Sequence, residues 1–243
     1  MILHEKTILN NLSKAQAFEN ILTSDEIEDI WKLAFSNNSV RKNSLGNIFI
    51  SGDCVKTAYK LIKHKIPLNA TLYGGNFFIC TTPYGIHLDS FNQREEKDDG
   101  TTLYKNVLIP LWIGGCDDGG KVIFFDQRLV DYGCAFNKDG PTSYKESLYH
   151  VYDDYSNLQF YDGNSQKIDK KLNSVPFNSL YHLLYFNHIN QERLEGFTAE
   201  SFLDWKPGNI LIFDAIQVHA SAYGDEKKWK NKMGLLLRFK VNI

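Results

Sequence analysis

The chain has little cysteine, methionine or proline: 4 Cys, 2 Met and 6 Pro in 243 residues. Cys54, Cys80, Cys116 and Cys134 stand 26, 36 and 18 residues apart with no CxxC pair. That spacing excludes a compact disulfide framework, and the four are expected to be reduced thiols, buried or half-buried like other small hydrophobes. Neither sign of charge is in excess, with 27 Lys+Arg against 29 Asp+Glu for a net −2. A global basic field for nucleic acid or an anionic membrane is thereby excluded. Long apolar runs are also missing. The longest, such as Leu235-Leu236-Leu237 and Phe77-Phe78-Ile79-Cys80, fall far short of the roughly 20 residues of a membrane helix, so no membrane partner is expected. Met1-Ile2-Leu3-His4-Glu5-Lys6 does not combine a basic segment, an apolar stretch and a small-residue cleavage site, and a cytoplasmic location is the expectation.

What is present is the mixture of an ordinary globular protein, 43% apolar and 23% charged, rich in aromatics with 16 Phe, 13 Tyr and 4 Trp. The length fits one domain over 1–243. Residues 1–69 are expected to be helical support. Thr23-Ser24-Asp25-Glu26 fits a capping box with Leu22 and Ile27 as hydrophobic staple, and Ile27, Ile30, Trp31, Ala34 and Phe35 recur at helical spacing, predicting a helix over 24–36. A second helix follows Ser51-Gly52-Asp53, with Cys54, Ala58, Leu61 and Ile62 on one face and Pro67 as its stop.

From residue 70 the texture changes to short β-rich runs between Gly, Asn, Asp and Pro, as in a sandwich or barrel. Strands are expected near 71–80, 84–89, 105–113, 121–126, 208–213, 216–222 and 232–241. Asp117-Asp118-Gly119-Gly120 and Lys206-Pro207-Gly208-Asn209 supply turns ahead of two of them. Residues 70–126 and 206–243 form the expected all-β core. Residues 127–205 read as a helical, Tyr-rich insertion, with helical spacing in Tyr144, Leu148, Val151, Tyr152 and Tyr155 and again in Leu180, Tyr181, Leu184 and Tyr185. Such a stripe packs on a sheet or forms a lid.

The chemistry concentrates at Tyr84-Gly85-Ile86-His87-Leu88-Asp89. In extended chain, positions i and i+2 point to the same side, so His87 and Asp89 can reach one ion. A third ligand, His219, lies 132 residues downstream at the start of another strand. Two imidazoles and one carboxylate occupy one face of an octahedral ion and leave three adjacent positions, as in non-haem Fe(II) oxygenases. Two of these can chelate a keto acid and the third takes dioxygen. The keto acid's far carboxylate needs a cation. Period-2 geometry puts Lys232, Gly234, Leu236 and Arg238 on one face, so Lys232 and Arg238 are both candidates.

In this order of residues, HxD, distal His and a basic residue on the final strand, the sequence resembles the Fe(II)/2-oxoglutarate-dependent dioxygenases, closest to the prolyl-hydroxylase-like enzymes and small viral or marine microbial oxygenases. The resemblance covers about 70–243 and includes Tyr84, the Gly119-Gly120 turn, the Trp205-Lys206-Pro207-Gly208-Asn209 turn and Phe213-Asp214. It implies a double-stranded β-helix (a jelly roll, cupin-like) with amino-terminal helices and the helical insertion. His87, Asp89 and His219 would be the iron ligands, and Lys232 the partner of the 2-oxoglutarate C5 carboxylate because it begins the strand. Asn106 and Tyr84 would line the cosubstrate site. The family more often has Arg at the basic position, which keeps Arg238 as a rival, and Pro110 stands where prolyl hydroxylases have a 2-oxoglutarate-binding tyrosine.

The implied reaction consumes Fe(II)-bound 2-oxoglutarate and O2, with ascorbate as a candidate reductant, releases succinate and CO2, and hydroxylates a C–H bond. Because Asp89 is present, whereas halogenating relatives lack that carboxylate, hydroxylation or demethylation is implied rather than halogenation. The substrate is expected to be a small molecule, with a peptidyl side chain or a nucleobase as alternatives and a non-catalytic jelly-roll binding module as the competing class. Substrate contacts are expected in the insertion and around Ser90 to Thr102. Lys227, Lys228 and Lys230 read as a solvated loop that could face phosphates, His4, His64 and His150 as residues without a role, and His182 and His188 as residues on different helix faces rather than a second metal site.

Overall fold

Alternation of inward and outward side chains from residue 71 onward builds two antiparallel sheets packed face to face. The computed structural model describes residues 8–36, 39–42, 47–81, 83–89, 102–114, 120–130, 134–136, 150–151, 158–168, 177–222 and 231–242. Its strands in chain order are β1 (Gln16–Phe18), β2 (Ser39–Lys42), β3 (Ile48–Ser51), β4 (Thr71–Cys80), β5 (Thr102–Gly114), β6 (Gly120–Arg128), β7 (Cys134–Ala135), β8 (His150–Val151), β9 (Phe160–Tyr161), β10 (Lys167–Ile168), β11 (Ala199–Trp205), β12 (Ile210–Asp214), β13 (Gln217–Ser221) and β14 (Asn231–Asn242). The larger sheet runs β1-β12-β5-β14-β4-β3-β2. The smaller runs β10-β9-β6-β11, with β13 also paired to β6, while β7 and β8 form a short parallel pair.

Two helices cover the outer face of the larger sheet. In α1 (Ser24–Ala34) the Thr23 hydroxyl accepts from the Glu26 N–H and the Glu26 carboxylate accepts from the Thr23 N–H, so the expected capping box is formed. Ile30 and Ala34 of α1 and Cys54, Val55, Ala58 and Ile62 of α2 (Asp53–Ile62) pack against Phe77, Val107, Ile109, Leu235 and Leu237. Leu61, expected on that face, is 46% exposed, and Val55, on the other flank of Ala58, is buried instead. The first third also holds β1, β2 and β3, which the sequence does not announce.

Opposite parity fills the interior. Phe78 and Cys80 of β4, Leu108 of β5 and Leu236 of β14 meet Val122 and Phe124 of β6, Trp205 of β11 and Leu211 and Phe213 of β12. Gly234 is required there: a Cβ would lie 2.6 Å from the Trp205 ring and 2.7 Å from that of Phe78. The turn at Lys206-Pro207-Gly208-Asn209 forms as expected, with Gly208 at φ 95° and the Asn209 N–H donating to the Lys206 carbonyl.

The segment expected to be a helical insertion is largely not helical among the described residues. β11 is a full strand of the smaller sheet, and the helical part is limited to α3 (Ser179–Tyr185) and one 3-10 turn at Gln191–Leu194. α3 follows the Leu180, Tyr181, Leu184, Tyr185 spacing, yet Leu180, Tyr181 and Leu184 are exposed, so this stripe is not core. Phe177, Phe186, Ile189, Leu194 and Phe197 instead cover the outer face of the smaller sheet over Ile123 and Phe125. Most of the Tyr144 to Tyr155 stretch lies outside the described residues, as do Lys227, Lys228, Lys230, His4 and Cys116. Cys54, Cys80 and Cys134 are buried, as expected. No helix among the described residues is long and apolar enough to cross a membrane.

Candidate metal centre

The stretch 84–89 is extended and joins the smaller sheet through isolated bridges rather than as a full strand. The His87 N–H donates to the His219 carbonyl at 2.9 Å, and the His219 N–H returns a bond to the His87 carbonyl at 3.0 Å. A reciprocal pair of this kind sets the two residues directly opposite one another with side chains on one face. On the far side, the Leu88 N–H donates to the Cys134 carbonyl and the Phe136 N–H to the Ile86 carbonyl. Alternation therefore sends Ile86 and Leu88 outward into the apolar cluster and His87 and Asp89 inward.

The inward triad converges. His87 Nε2 lies 3.9 Å from Asp89 Oδ1, His219 Nε2 lies 3.6 Å from Asp89 Oδ2, and the imidazole centroids are 4.2 Å apart. All three residues are buried, with donor atoms within 4.8 Å of one another. Both Nδ1 atoms face backbone carbonyls, His87 that of Gly85 at 2.8 Å and His219 that of Gln217 at 2.9 Å. This assigns the proton to Nδ1 and leaves each Nε2 lone pair for an ion. Burial, followed by the charge of neighbouring His219, lowers His87 to about 3, so it is neutral, the form that ligates metal. Asn106 Nδ2 donates to Asp89 Oδ2 at 3.1 Å and fixes the carboxylate. Phe124 stacks on His219 at 5.6 Å and Phe213 meets it edge-on at 5.0 Å, which keeps the cluster dry. Two neutral imidazoles and a carboxylate gathered this closely are a donor set that would hold one divalent ion.

The two candidate cations separate. Lys232, 4% exposed, reaches Ser221 Oγ at 2.6 Å and lies 4.4 Å over the Trp205 ring, beside Cys80. Among the described residues no carboxylate pairs with it. Burial lowers its ammonium to about 8 and raises the Cys80 thiol to about 11, and Tyr84 meets that thiol. The Lys232 charge is felt at His87, so it stands on the metal side of the interior. Arg238 points to the same interior but opposite Asn106 and Gly74.

Sequence reasoning missed His188. It neighbours the backbone of Tyr84 and Ser221 and feels the charge of Lys232, and burial lowers it to about 4. The sequence reading placed it on a helix face, but α3 ends at Tyr185 and Asn187 and His188 lie in the turn beyond it. His182 is tied to the Ile189 carbonyl at 2.8 Å and belongs to that turn, and His64 is exposed.

No protein-family model and no curated protein matches the chain. Solved structures it is similar to include the non-haem α-ketoglutarate-dependent epimerase SnoN from nogalamycin biosynthesis, at 9% identity and TM-score 0.45 over 97% of this chain and 82% of that one. HygX from Streptomyces hygroscopicus, with nickel, 2-oxoglutarate and hygromycin B bound, is similar at 8% identity and TM-score 0.44 over 98% and 87%. A Pseudomonas putida prolyl-4-hydroxylase is similar at 10% identity and TM-score 0.40 over the full length of both chains. At these TM-scores the likeness carries no functional argument, and this chain's own side chains do.

Proposed function

We propose that the protein is an Fe(II)- and 2-oxoglutarate-dependent oxygenase built on a double-stranded β-helix, and that it hydroxylates or demethylates a small molecule. The observation that supports this is the buried His87–Asp89–His219 cluster, whose three donors leave three adjacent positions of an octahedral ion for other ligands. When bound, iron and 2-oxoglutarate supply the oxidation: one O2 and one 2-oxoglutarate give succinate, CO2 and one oxygen atom inserted into a C–H bond, and demethylation follows when the hydroxylated carbon is an N- or O-methyl group.

The chain's own residues bind and orient. Lys232, buried without a carboxylate among the described residues, supplies the positive charge that a C5 carboxylate needs, and Ser221 adds a hydroxyl beside it. Asn106 donates to Asp89 Oδ2 and so steadies the carboxylate that would hold the ion. Phe124 and Phe213 exclude water around His219. Neither Asn106 nor the backbone carbonyls at Nδ1 take part in bond making. They hold the ligands in place before the ion arrives, which limits the reorganisation that binding requires.

Anaerobic Fe(II) plus 2-oxoglutarate should give the weak visible charge-transfer band of a metal-chelated keto acid. His87→Ala should remove it. A wild-type protein that stays colourless and binds no Fe(II) would make this chain a non-catalytic jelly-roll binding module.

A further inference from the structure

Lys232, Arg238 and Lys240 share one face of β14, and only one cation is needed for the far carboxylate of 2-oxoglutarate. Lys232 stands opposite Cys80 and Ile113, whereas Arg238 stands opposite Gly74 and Asn106. Directly opposed residues bring Cβ atoms within about 5 Å. The Arg238 stem therefore lies beside Asn106, whose amide holds Asp89. Its Nη1 donates to Asn76 Oδ1 at 3.2 Å, but among the described residues its buried Nε has no hydrogen-bond acceptor and no carboxylate pairs with it. The wall next to it is open, since a Cβ at Gly74 would meet nothing within 4 Å. Further along the same end, Tyr73 and Tyr104 meet edge to face at 6.1 Å and Lys240 lies 4.7 Å over Tyr73. Unlike the buried Lys232, the residues Arg238, Asn76, Tyr73, Tyr104 and Lys240 are each half-buried as a whole.

A buried guanidinium N–H without an acceptor carries a desolvation cost that an incoming anion removes, and the planar fork fits a carboxylate or phosphate in a way an ammonium does not. We propose that Arg238, with Asn76 and the open wall at Gly74, binds an anionic group of the substrate, a carboxylate or a phosphate. The substrate's body then lies toward the Tyr73–Tyr104 pair and its oxidised carbon toward the His87–Asp89–His219 cluster. This rests on the oxygenase reading above and narrows its substrate to small anionic molecules.

The test titrates benzoate, phenyl phosphate and neutral benzamide into the metal-free protein and into the anaerobic Fe(II)/2-oxoglutarate complex, read by saturation-transfer NMR. One anion should bind at least about tenfold more tightly than benzamide, as a charge-assisted site requires, and which one does so separates a carboxylic acid from a phosphate ester as the source. Arg238→Met should erase that preference. Gly74→Val, which keeps the guanidinium and fills the open wall, should weaken the same anion. The visible band should persist in both variants. Equal binding of all three probes, or a preference that survives Arg238→Met, overturns the site. So does loss of the band in Arg238→Met with its retention in Lys232→Met, because Arg238 is then the cosubstrate's cation. A wild type that gives no band overturns the oxygenase reading itself, and a banded wild type without anion preference overturns only the Arg238 site.

Discussion

Burial lowers the Lys232 ammonium from an ordinary 10.5 to about 8, so between those pH values the unfolded chain holds a proton that the folded chain has shed. Stability therefore rises with pH across that window and is flat below it. At neutral pH the buried charge opposes folding. Lys232→Met should stabilise the protein by about 2 kcal/mol at pH 7, after allowance for the Trp205 ring beneath the ammonium, and should abolish 2-oxoglutarate binding. Denaturant unfolding of both proteins at pH 7 and pH 10 checks the first part, the gap closing at the higher pH. Cosubstrate affinity in the wild type should move the other way, weakening by up to about tenfold per unit as pH rises through 8, which a titration of the visible band against pH would read. Asn106→Ala, by releasing the Asp89 carboxylate, should weaken Fe(II) binding by roughly 10- to 100-fold with little effect on the fold, measured by metal competition.

At the scale of elements, β14 must thread between a tryptophan and a phenylalanine. Gly234→Ala would place a Cβ against both rings and should cost about 1–3 kcal/mol, seen as a lowered urea midpoint, and also tilt the ring that supports Lys232. β14, β4 and β5 are legible in the sequence because each is a long β-rich run, and α1 because Thr23 and Glu26 form a capping box. β1 is too short to show a period, β2 is an exposed edge, and β11 mixes Glu200 and Asp204 with partly buried Phe202 and Leu203. Glu200 is legible only in three dimensions, where it faces fully buried Arg128 and receives a hydrogen bond from Gln217. The tyrosine and leucine spacing at 180–185 does encode a helix, but spacing alone does not say which side of it is covered.

Across the whole molecule, the gathering of His87, Asp89 and His219 is foreshadowed by residue order, since HxD in extended chain fixes two side chains on one side whatever the fold. What order could not supply was distance: only the pairing of His87 with His219 and the β6 ladder bring the third donor in. It also could not separate Lys232 from Arg238, which share a face and differ in depth. Because the donors come from two far-apart stretches, Fe(II), Co(II) or Ni(II) at about 100 times Kd should add about 2.7 kcal/mol and raise Tm by roughly 5–10 °C. Calorimetric scans with and without metal check this, and His219→Ala should remove the gain.

The mutual backbone bonds between His87 and His219 also set a timetable. During synthesis the earlier half of the clasp leaves the ribosome 132 residues ahead of its mate, and those residues include most of the smaller sheet. A nascent chain has no complete donor set until His219 has followed His87 out, so capture of a metal ion by all three side chains has to wait for the smaller sheet between them.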